Sequence, residues 1–331
     1  MKPIIPFALL GALLAVGAAD AAVTDPVGYI SHTIAGTGGS GSALTLLSPS
    51  LVQPTEFAGQ TSVNPSGLST ITFTGGVPAT LGSSYVLEIP SSGWWSTVVS
   101  STATSITLND ALPAGLPANT TVTVRKHNTV QSLFGENAPG LAAFNGESGD
   151  EVQFLTPAGV IISVSYVPGA VTNTATDDWY ELAASSLAND MVIEPGSAVI
   201  VKTSSSVNLT FTSSGSVKTT PTQVDVFPGL TLIGQPDAVG ATLGDMNLAT
   251  QMVQFDGENS NFDEFQFLTA AQVVDGNVSL APALGGPTMG NLGSSESSNA
   301  TLFGEGKGAI FKRDAGGAAS VLTFPGSTVQ P

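Results

Sequence analysis

The stretch "GDEVQFLT", Gly149–Thr156, returns as "FDEFQFLT", Phe262–Thr269, with six of eight letters unchanged and an offset of 113 residues (262 − 149). A chain that writes one phrase twice carries a duplicated structural unit. In each copy apolar and polar letters alternate, the period of a strand. Val152 and Phe154 therefore share one face, as do Phe265 and Phe267, while Gln153 and Gln266 point the other way. This places Phe154 and Phe267 at equivalent core positions, each worth about 2–3 kcal/mol on burial.

The likeness spreads outward in both directions. Upstream, "TVQSLFGENAPGLAAF" (Thr129–Phe144) sits against "GATLGDMNLATQMVQF" (Gly240–Phe255). Downstream, "PGSAVIVK" (Pro195–Lys202) sits against "EGKGAIFK" (Glu305–Lys312), and "LTF" recurs at Leu209–Phe211 and Leu322–Phe324. Further back, "TQVDVFPGLTLIGQPDAV" (Thr222–Val239) takes the part of Val23–Val52. The second copy then runs straight on, whereas the first is interrupted by a segment with four strand signals and a double tryptophan. The expected organisation is a first lobe from 22–56 and 128–220, an inserted small β-domain at 57–127, and a second lobe at 221–331.

Strand signals dominate throughout. "STITFTG" (Ser69–Gly75), "SSYVLEI" (Ser83–Ile89), "TSITL" (Thr104–Leu108) and "TTVTVRK" (Thr120–Lys126) are β-branched or alternating, with Gly, Pro, Asn and Ser between them. Only Val130–Phe134 and Ala241–Leu248 suggest helix, and both are short. The predicted class is all-β: two related sandwich- or barrel-like lobes and a small barrel-like insertion, either a β-barrel or a curved sheet.

Taken in order, "TDPVGYI", "TVQSLFG", "GDEVQFLT", "DDWYEL", "PGSAVIVK", "LIGQPDAVGATLGDMNL" and "GAIFKRDAGGAASVLTF" resemble a paralogous family of exported all-β proteins typical of verrucomicrobial bacteria. The resemblance covers most of the chain and rests on the order of the motifs. It implies an envelope or extracellular location and an all-β build. It supplies no catalytic residues to carry over.

The first residues point to export on their own. Lys2 precedes an apolar run, Ile4–Val16, followed by Ala19-Asp20-Ala21. A positive start, a short apolar run and a small-x-small site read as a signal peptide, 1–21. No later stretch is long and apolar enough to span a bilayer as a helix. There is no cysteine, so packing, strand ladders or metal ions must hold the exported fold. The net charge is −17, which repels phosphate and speaks against a nucleic-acid partner. Expected locations are the cell surface, the extracellular space or the periplasm.

Catalytic chemistry is sparse. Cysteine nucleophiles are excluded, and the two histidines, His32 and His127, have no metal-ligand spacing. No Gly-x-Ser-x-Gly elbow occurs. "GTGGSGS" (Gly36–Ser42) lacks the lysine of a phosphate loop and joins two strands, so it reads as a hairpin connection.

Two features carry more interest. Each copy has an acidic turn: Asn145, Glu147, Asp150 and Glu151 in the first, Asp256, Glu258, Asp263 and Glu264 in the second. Oxygen ligands in Gly/Asn/Ser-rich turns suit Ca²⁺, though the spacing is not that of an EF-hand; the alternative is an ordinary solvated turn. Four aromatics follow turns, Trp94-Trp95 and Trp179-Tyr180. Exposed, they would stack on sugar faces; otherwise they fill the core. Alternation puts Trp94 and Trp95 on opposite faces of one strand.

These features together predict a non-enzymatic structural or adhesive protein of the cell surface or matrix. Its partners would be other copies of itself or other envelope proteins. The alternatives are a carbohydrate-binding module that uses the aromatics on polysaccharide, and a secreted hydrolase with an unrecognised carboxylate pair.

Overall fold

The computed structural model describes residues 25–327 apart from 40, 137, 139, 174–175, 247, 249–250, 254–261, 269–273, 282–287, 292–301 and 315–316. The expected signal peptide lies outside the described residues. No helix among them is long and apolar enough to cross a membrane.

The chain is nearly all β. It opens with β1 (Val27–Ile34), β2 (Ala43–Leu47) and β3 (Leu51–Val52). Then β4 (Thr55–Gln60), β5 (Thr70–Thr72), β6 (Tyr85–Glu88), β7 (Trp95–Ser101), β8 (Ser105–Leu108) and β9 (Thr121–Lys126) pair among themselves as a sheet of order β4-β9-β6-β7-β8-β5. This inserted sheet has its own core, with Leu87, Ile89, Val98, Ile106, Val122 and Val124 fully or almost fully buried. It does not close. One bridge, Thr61↔Phe73, joins the ends of its two edge strands, so of the barrel or curved sheet expected here the structure shows an open, curled sheet. The edge strand β5 has only three residues, too short to complete the ladder a barrel needs.

The first lobe resumes with β10 (Asn128–Thr129) and α1 (Val130–Phe134). Thr129 caps this single turn, its Oγ1 accepting from Ser132 N at 3.1 Å while Ser132 Oγ accepts from Thr129 N at 2.7 Å. Next come β11 (Glu151–Leu155), β12 (Ile161–Val167), α2 (Gly169–Thr172), β13 (Asp178–Glu181), β14 (Ser186–Leu187), β15 (Val192–Ile193), β16 (Val199–Thr203) and β17 (Leu209–Val217). The second lobe comprises β18 (Thr222–Val226), β19 (Gly229–Gly234), β20 (Ala241–Thr242), β21 (Glu264–Leu268), β22 (Val274–Ala281), β23 (Thr288–Asn291), β24 (Leu302–Phe303), β25 (Gly308–Arg313) and β26 (Ser320–Phe324). Where the sequence suggested a helix over Ala241–Leu248, Ala241 and Thr242 pair with β24 and a turn follows. Gly244 inside that turn weakens a helix there.

The duplication is visible strand by strand. The first lobe has a sheet running β13-β12-β11-β16-β2, the second one running β23-β22-β21-β25-β19. In both, antiparallel pairs also join the remaining strands: β1 with β17 and β18 with β26, then β10 with β15 and β20 with β24. Register agrees as well. Glu151 lies opposite Lys202 and Gln153 opposite Ile200; Glu264 lies opposite Lys312 and Gln266 opposite Ile310. Val201 faces Thr45 as Phe311 faces Thr231. The fully buried positions of the repeated phrase are Val152 and Phe265. Phe154 and Phe267 are equivalent to one another, but both are half-buried and pack at the rim of their cores.

The two lobes meet through the same surface. Ser48 N donates to Gly306 O at 3.1 Å, and its counterpart Gly234 N donates to Gly196 O at 2.7 Å. Bridges Leu47↔Lys307 and Ile233↔Ser197 repeat the exchange. Between them lies a small apolar cluster of matched residues: Leu46 with Leu232, Leu155 with Leu268, Ile200 with Ile310, and Ala198 across from Gly308. Contacts that are mutual in this way define a pseudo-twofold interface, the geometry of a homodimer within one chain. Gly196 and Gly306 sit at its turns with φ of 74° and 68°. A Cβ on Gly306 would lie 2.8 Å from the His32 ring, and one on Gly196 would lie 2.3 Å from Val224. Both the backbone conformation and the close approach require glycine.

Candidate functional site

The polar side chains fall into three groups by what the fold does with them. The first group holds parts together. Glu88 on β6 is 2 % exposed and sits between Arg125 on β9 (3.0 Å) and Lys218 after β17 (2.5 Å). Arg125 also reaches Asp25 and the carbonyl of Gln53. Burial pushes the Glu88 carboxyl up, but the charges of Lys218 and then Arg125 outweigh it and hold the group below the usual glutamate range. The insertion is thereby clamped to the first lobe by buried charge.

The acidic turns belong largely to this group too. Asp150 is buried, and its carboxylate accepts from Ala142 N, Thr203 Oγ1, Ser204 N and Ser204 Oγ at 2.8–3.1 Å. Asp263 accepts from Val253 N at 2.9 Å and from both Nε and Nη2 of Arg313. Glu151 pairs with Lys202 at 2.8 Å and accepts from Gln153 and Ser163; Glu264 pairs with Lys312 at 3.7 Å. Asn145 Oδ1 accepts from the backbone of Glu147 and Ser148, closing an ordinary Asx turn with Glu147 exposed. Asp256 and Glu258 lie outside the described residues. Among the described residues no three acidic or histidine side chains converge as a metal-ligand set. Among the described residues, Asp150, Glu151, Asp263 and Glu264 serve as internal acceptors of the fold.

The second group is absorbed by packing. Trp179 is 1 % exposed, wedged against Phe134 and Tyr166 with ring centroids 5.6 and 5.8 Å away, and its Nε1 donates to Gly135 O. The sugar-stacking expectation fails for it, since no ligand can reach the ring. Tyr180, next along β13, is half-buried. His32 stacks on Phe211 at 4.7 Å and meets Ser213 Oγ at 2.8 Å; His127 meets Thr97 Oγ1 at 3.2 Å. Both imidazoles are held down to about 4, chiefly by burial.

The third group lines a cleft where the two lobes and the insertion meet. A turn, Ser91–Gly93, delivers Trp94 and Trp95 there. Both rings are half-buried. Trp94 packs on the core of the insertion, while Trp95 reaches across and donates its Nε1 to Gln223 O on β18 at 2.8 Å. Gln223 N bonds back to Gly93 O, which fixes strand and turn to one another. Trp94, Trp95, Asp110, Gln223, Asp225 and Val321 enclose a hollow of about 250 Å³. Asp225 also borders a trough of about 390 Å³ between the lobes, floored by Phe154, Leu155, Ile162, Leu230 and Leu232 and edged by Glu194.

Three carboxylates thus share this junction. Partial desolvation, then the fields of Asp225 and Asp110, raise the Glu194 carboxyl above its ordinary value. Desolvation, then Asp110, raise that of Asp225. None of the ion pairs among the described residues involves any of the three. Asp110 is held by Ser96, whose Oγ donates to Asp110 Oδ2 at 3.0 Å. Sequence reasoning singled out Trp94 and Trp95 here but missed Asp110, Glu194, Gln223 and Asp225.

The pseudo-twofold gives this trough a counterpart. Its relative, about 290 Å³, is lined by Phe267, Leu268, Leu44, Leu46 and Gly308, the matched residues of the other side. There Gly304 stands where Glu194 does, Ala35 where Asp225 does, and Lys307 where Ser197 does. One trough is acidic and the other is not, on the same backbone.

No family model matches the chain, and no curated protein or solved structure shows significant similarity to it.

Proposed function

We propose that this is an exported, non-enzymatic structural or adhesive component of the cell surface or extracellular matrix. The observation that carries the reading is where the buried polar chemistry goes. Glu88 with Lys218 and Arg125 clamps the insertion, while Asp150 and Asp263 with Arg313 lock the acidic turns. Both histidines, the side chains best suited to acid–base work near neutral pH, are buried in packing. Reciprocal strand contacts fix the two lobes against each other. Such a build suits a module that bears load or presents a surface.

Immunogold labelling and electron tomography of native cells test this. The expected result is label in an ordered layer, filament or continuous matrix at the cell exterior. Label confined to the cytoplasm, or a purely soluble protein in the medium, would overturn it. The carbohydrate alternative rests on Trp94 and Trp95, with Asp110 and Gln223 as polar neighbours, and on half-buried Tyr180.

A further inference from the structure

We propose that the trough between the lobes, with the indole-lined hollow beside it, docks a basic segment of a partner protein: a lysine or arginine next to an apolar side chain. The inference deepens the adhesive reading above and rests on it.

The shape divides the ligand in two. The trough is apolar along its floor and of a size to take a leucine-like side chain with its backbone. Asp225 stands at the boundary with the hollow and borders both. A cation placed beside Asp225 meets Asp110 on one side, Glu194 on the other, and the Trp95 ring, which the bond to Gln223 holds still. Carboxylates and an indole face are the surroundings in which an ammonium or guanidinium is favoured.

Charge makes the same point. Asp110 and Asp225 line the hollow together and Glu194 edges the trough, and no lysine or arginine of the described ion pairs answers them. Desolvation and then neighbouring carboxylates raise the proton affinity of Glu194 and Asp225. In the free protein this repulsion costs stability, and a basic partner relieves it. The protein's own backbone does not need these acids. The related trough is built by the same strands, and it carries Gly304 and Ala35 at the two positions. The glycine and alanine serve as an internal control: what the second trough lacks is chemistry, with the fold kept.

The occupant is a different protein in preference to a second copy. This chain has eight basic residues against twenty-five acidic ones, so two copies repel at long range.

The test uses the mature chain and three probes: a capped Leu-Arg-Leu peptide, a capped Leu-Gln-Leu peptide and cellotetraose. Tryptophan fluorescence reads binding, with buried Trp179 as a constant background. Expected is saturable quenching by Leu-Arg-Leu that weakens with added salt, with Leu-Gln-Leu at least about tenfold weaker. Asp225→Asn and Glu194→Gln should each weaken the arginine peptide several-fold, and Lys307→Gln in the related trough should leave it unchanged. These three side chains are on the surface, so the variants fold, and their thermal unfolding checks this. Equal binding of both peptides, or quenching by cellotetraose alone, overturns the inference. So does concentration-dependent self-association in sedimentation that Asp225→Asn abolishes, since the occupant would then be a second copy. No peptide binding by a protein that labels as a surface layer sinks this inference and leaves the structural reading standing. Peptide binding by a protein absent from the cell exterior does the reverse.

Discussion

Asp150 and Asp263 occupy the same place in the two lobes and are neutralised differently. Each makes two hydrogen bonds with the residue at the matching position, Ala142 or Val253: its backbone N donates to that residue's carbonyl, and its carboxylate accepts from that residue's backbone N. Beyond that they part. Asp150 is satisfied by hydroxyls and an amide from Thr203 and Ser204, Asp263 by the guanidinium of Arg313, which stands where Thr203 does. The shared bonds are those that tie the incoming chain to the start of β11 or β21. The free choice is how the buried negative charge is met. The fold thus specifies the carboxylate and its backbone partners, while the counter-group drifts between neutral donors and a cation.

The strongest way to break this comparison is to remove the two counter-groups. Arg313→Ala leaves Asp263 buried without its cation and should cost about 3–5 kcal/mol. Thr203→Val removes one of four donors to Asp150 and should cost about 1 kcal/mol. Urea titrations of both variants check this; equal losses would mean that the charge at Arg313 contributes nothing beyond a hydrogen bond.

Acid should separate the lobes next. His32 in the first lobe has Thr222 as its counterpart in the second. His32 and His127 are held down to about 4 in the fold, against 6.5 when free. Each contributes stability that is complete above pH 6.5 and is lost as pH falls through about 4, up to roughly 3 kcal/mol apiece. His32→Thr, which gives the first lobe the residue of the second, should flatten the decline measured between pH 7 and pH 4. An unchanged slope would locate the acid sensitivity elsewhere.

The lobe interface offers a smaller and sharper test. A Cβ on Gly308 would lie 2.6 Å from the Cβ of Ala198. Gly308→Ala should cost about 1–3 kcal/mol through overpacking, and adding Ala198→Gly should recover a large part of it. Additive losses in this cycle would show that the two positions do not meet.

Least affected should be the acidic turn of the first lobe. Glu147 is exposed and supplies no side-chain bond to the fold among the described residues. Glu147→Gln should move stability by less than about 0.5 kcal/mol. Millimolar Ca²⁺ and Mg²⁺ should shift the melting temperature alike, as screening does. A Ca²⁺-specific shift lost in this variant would restore the turn as a ligand set.

The order of the repeated blocks was enough to pair the lobes, because strand period and register are written in local letters. It gave the strand content and the self-contained insertion for the same reason. Whether the insertion closes into a barrel or stays a curved sheet was not legible: it depends on ladder length at the two edges, and the edge strand β5 has only three residues. Trp179 and Trp95 show the same limit for the site. Both follow a turn and both are tryptophan, yet one is driven into the core by Phe134 and Tyr166 and the other is drawn outward by a carbonyl on a strand 128 residues away. Only tertiary neighbours decide that. The acidic cleft had a partial signal. Setting the repeats against one another puts Glu194 opposite Gly304, a gain of charge where the fold asks for none, but Asp110 enters from the insertion, which has no second copy to compare.

Ala198 and Gly308 meet across the pseudo-twofold as unlike residues. In a true dimer a residue on the axis faces itself, so an alanine there must meet an alanine and a glycine a glycine. The first pair would collide and the second would leave a gap. A single polypeptide is free of that constraint, and each side of the axis can take its own letter. The same freedom reaches outward to the two troughs, where one could acquire carboxylates without imposing them on the other. Two like halves in one chain thus make a molecule with a front and a back.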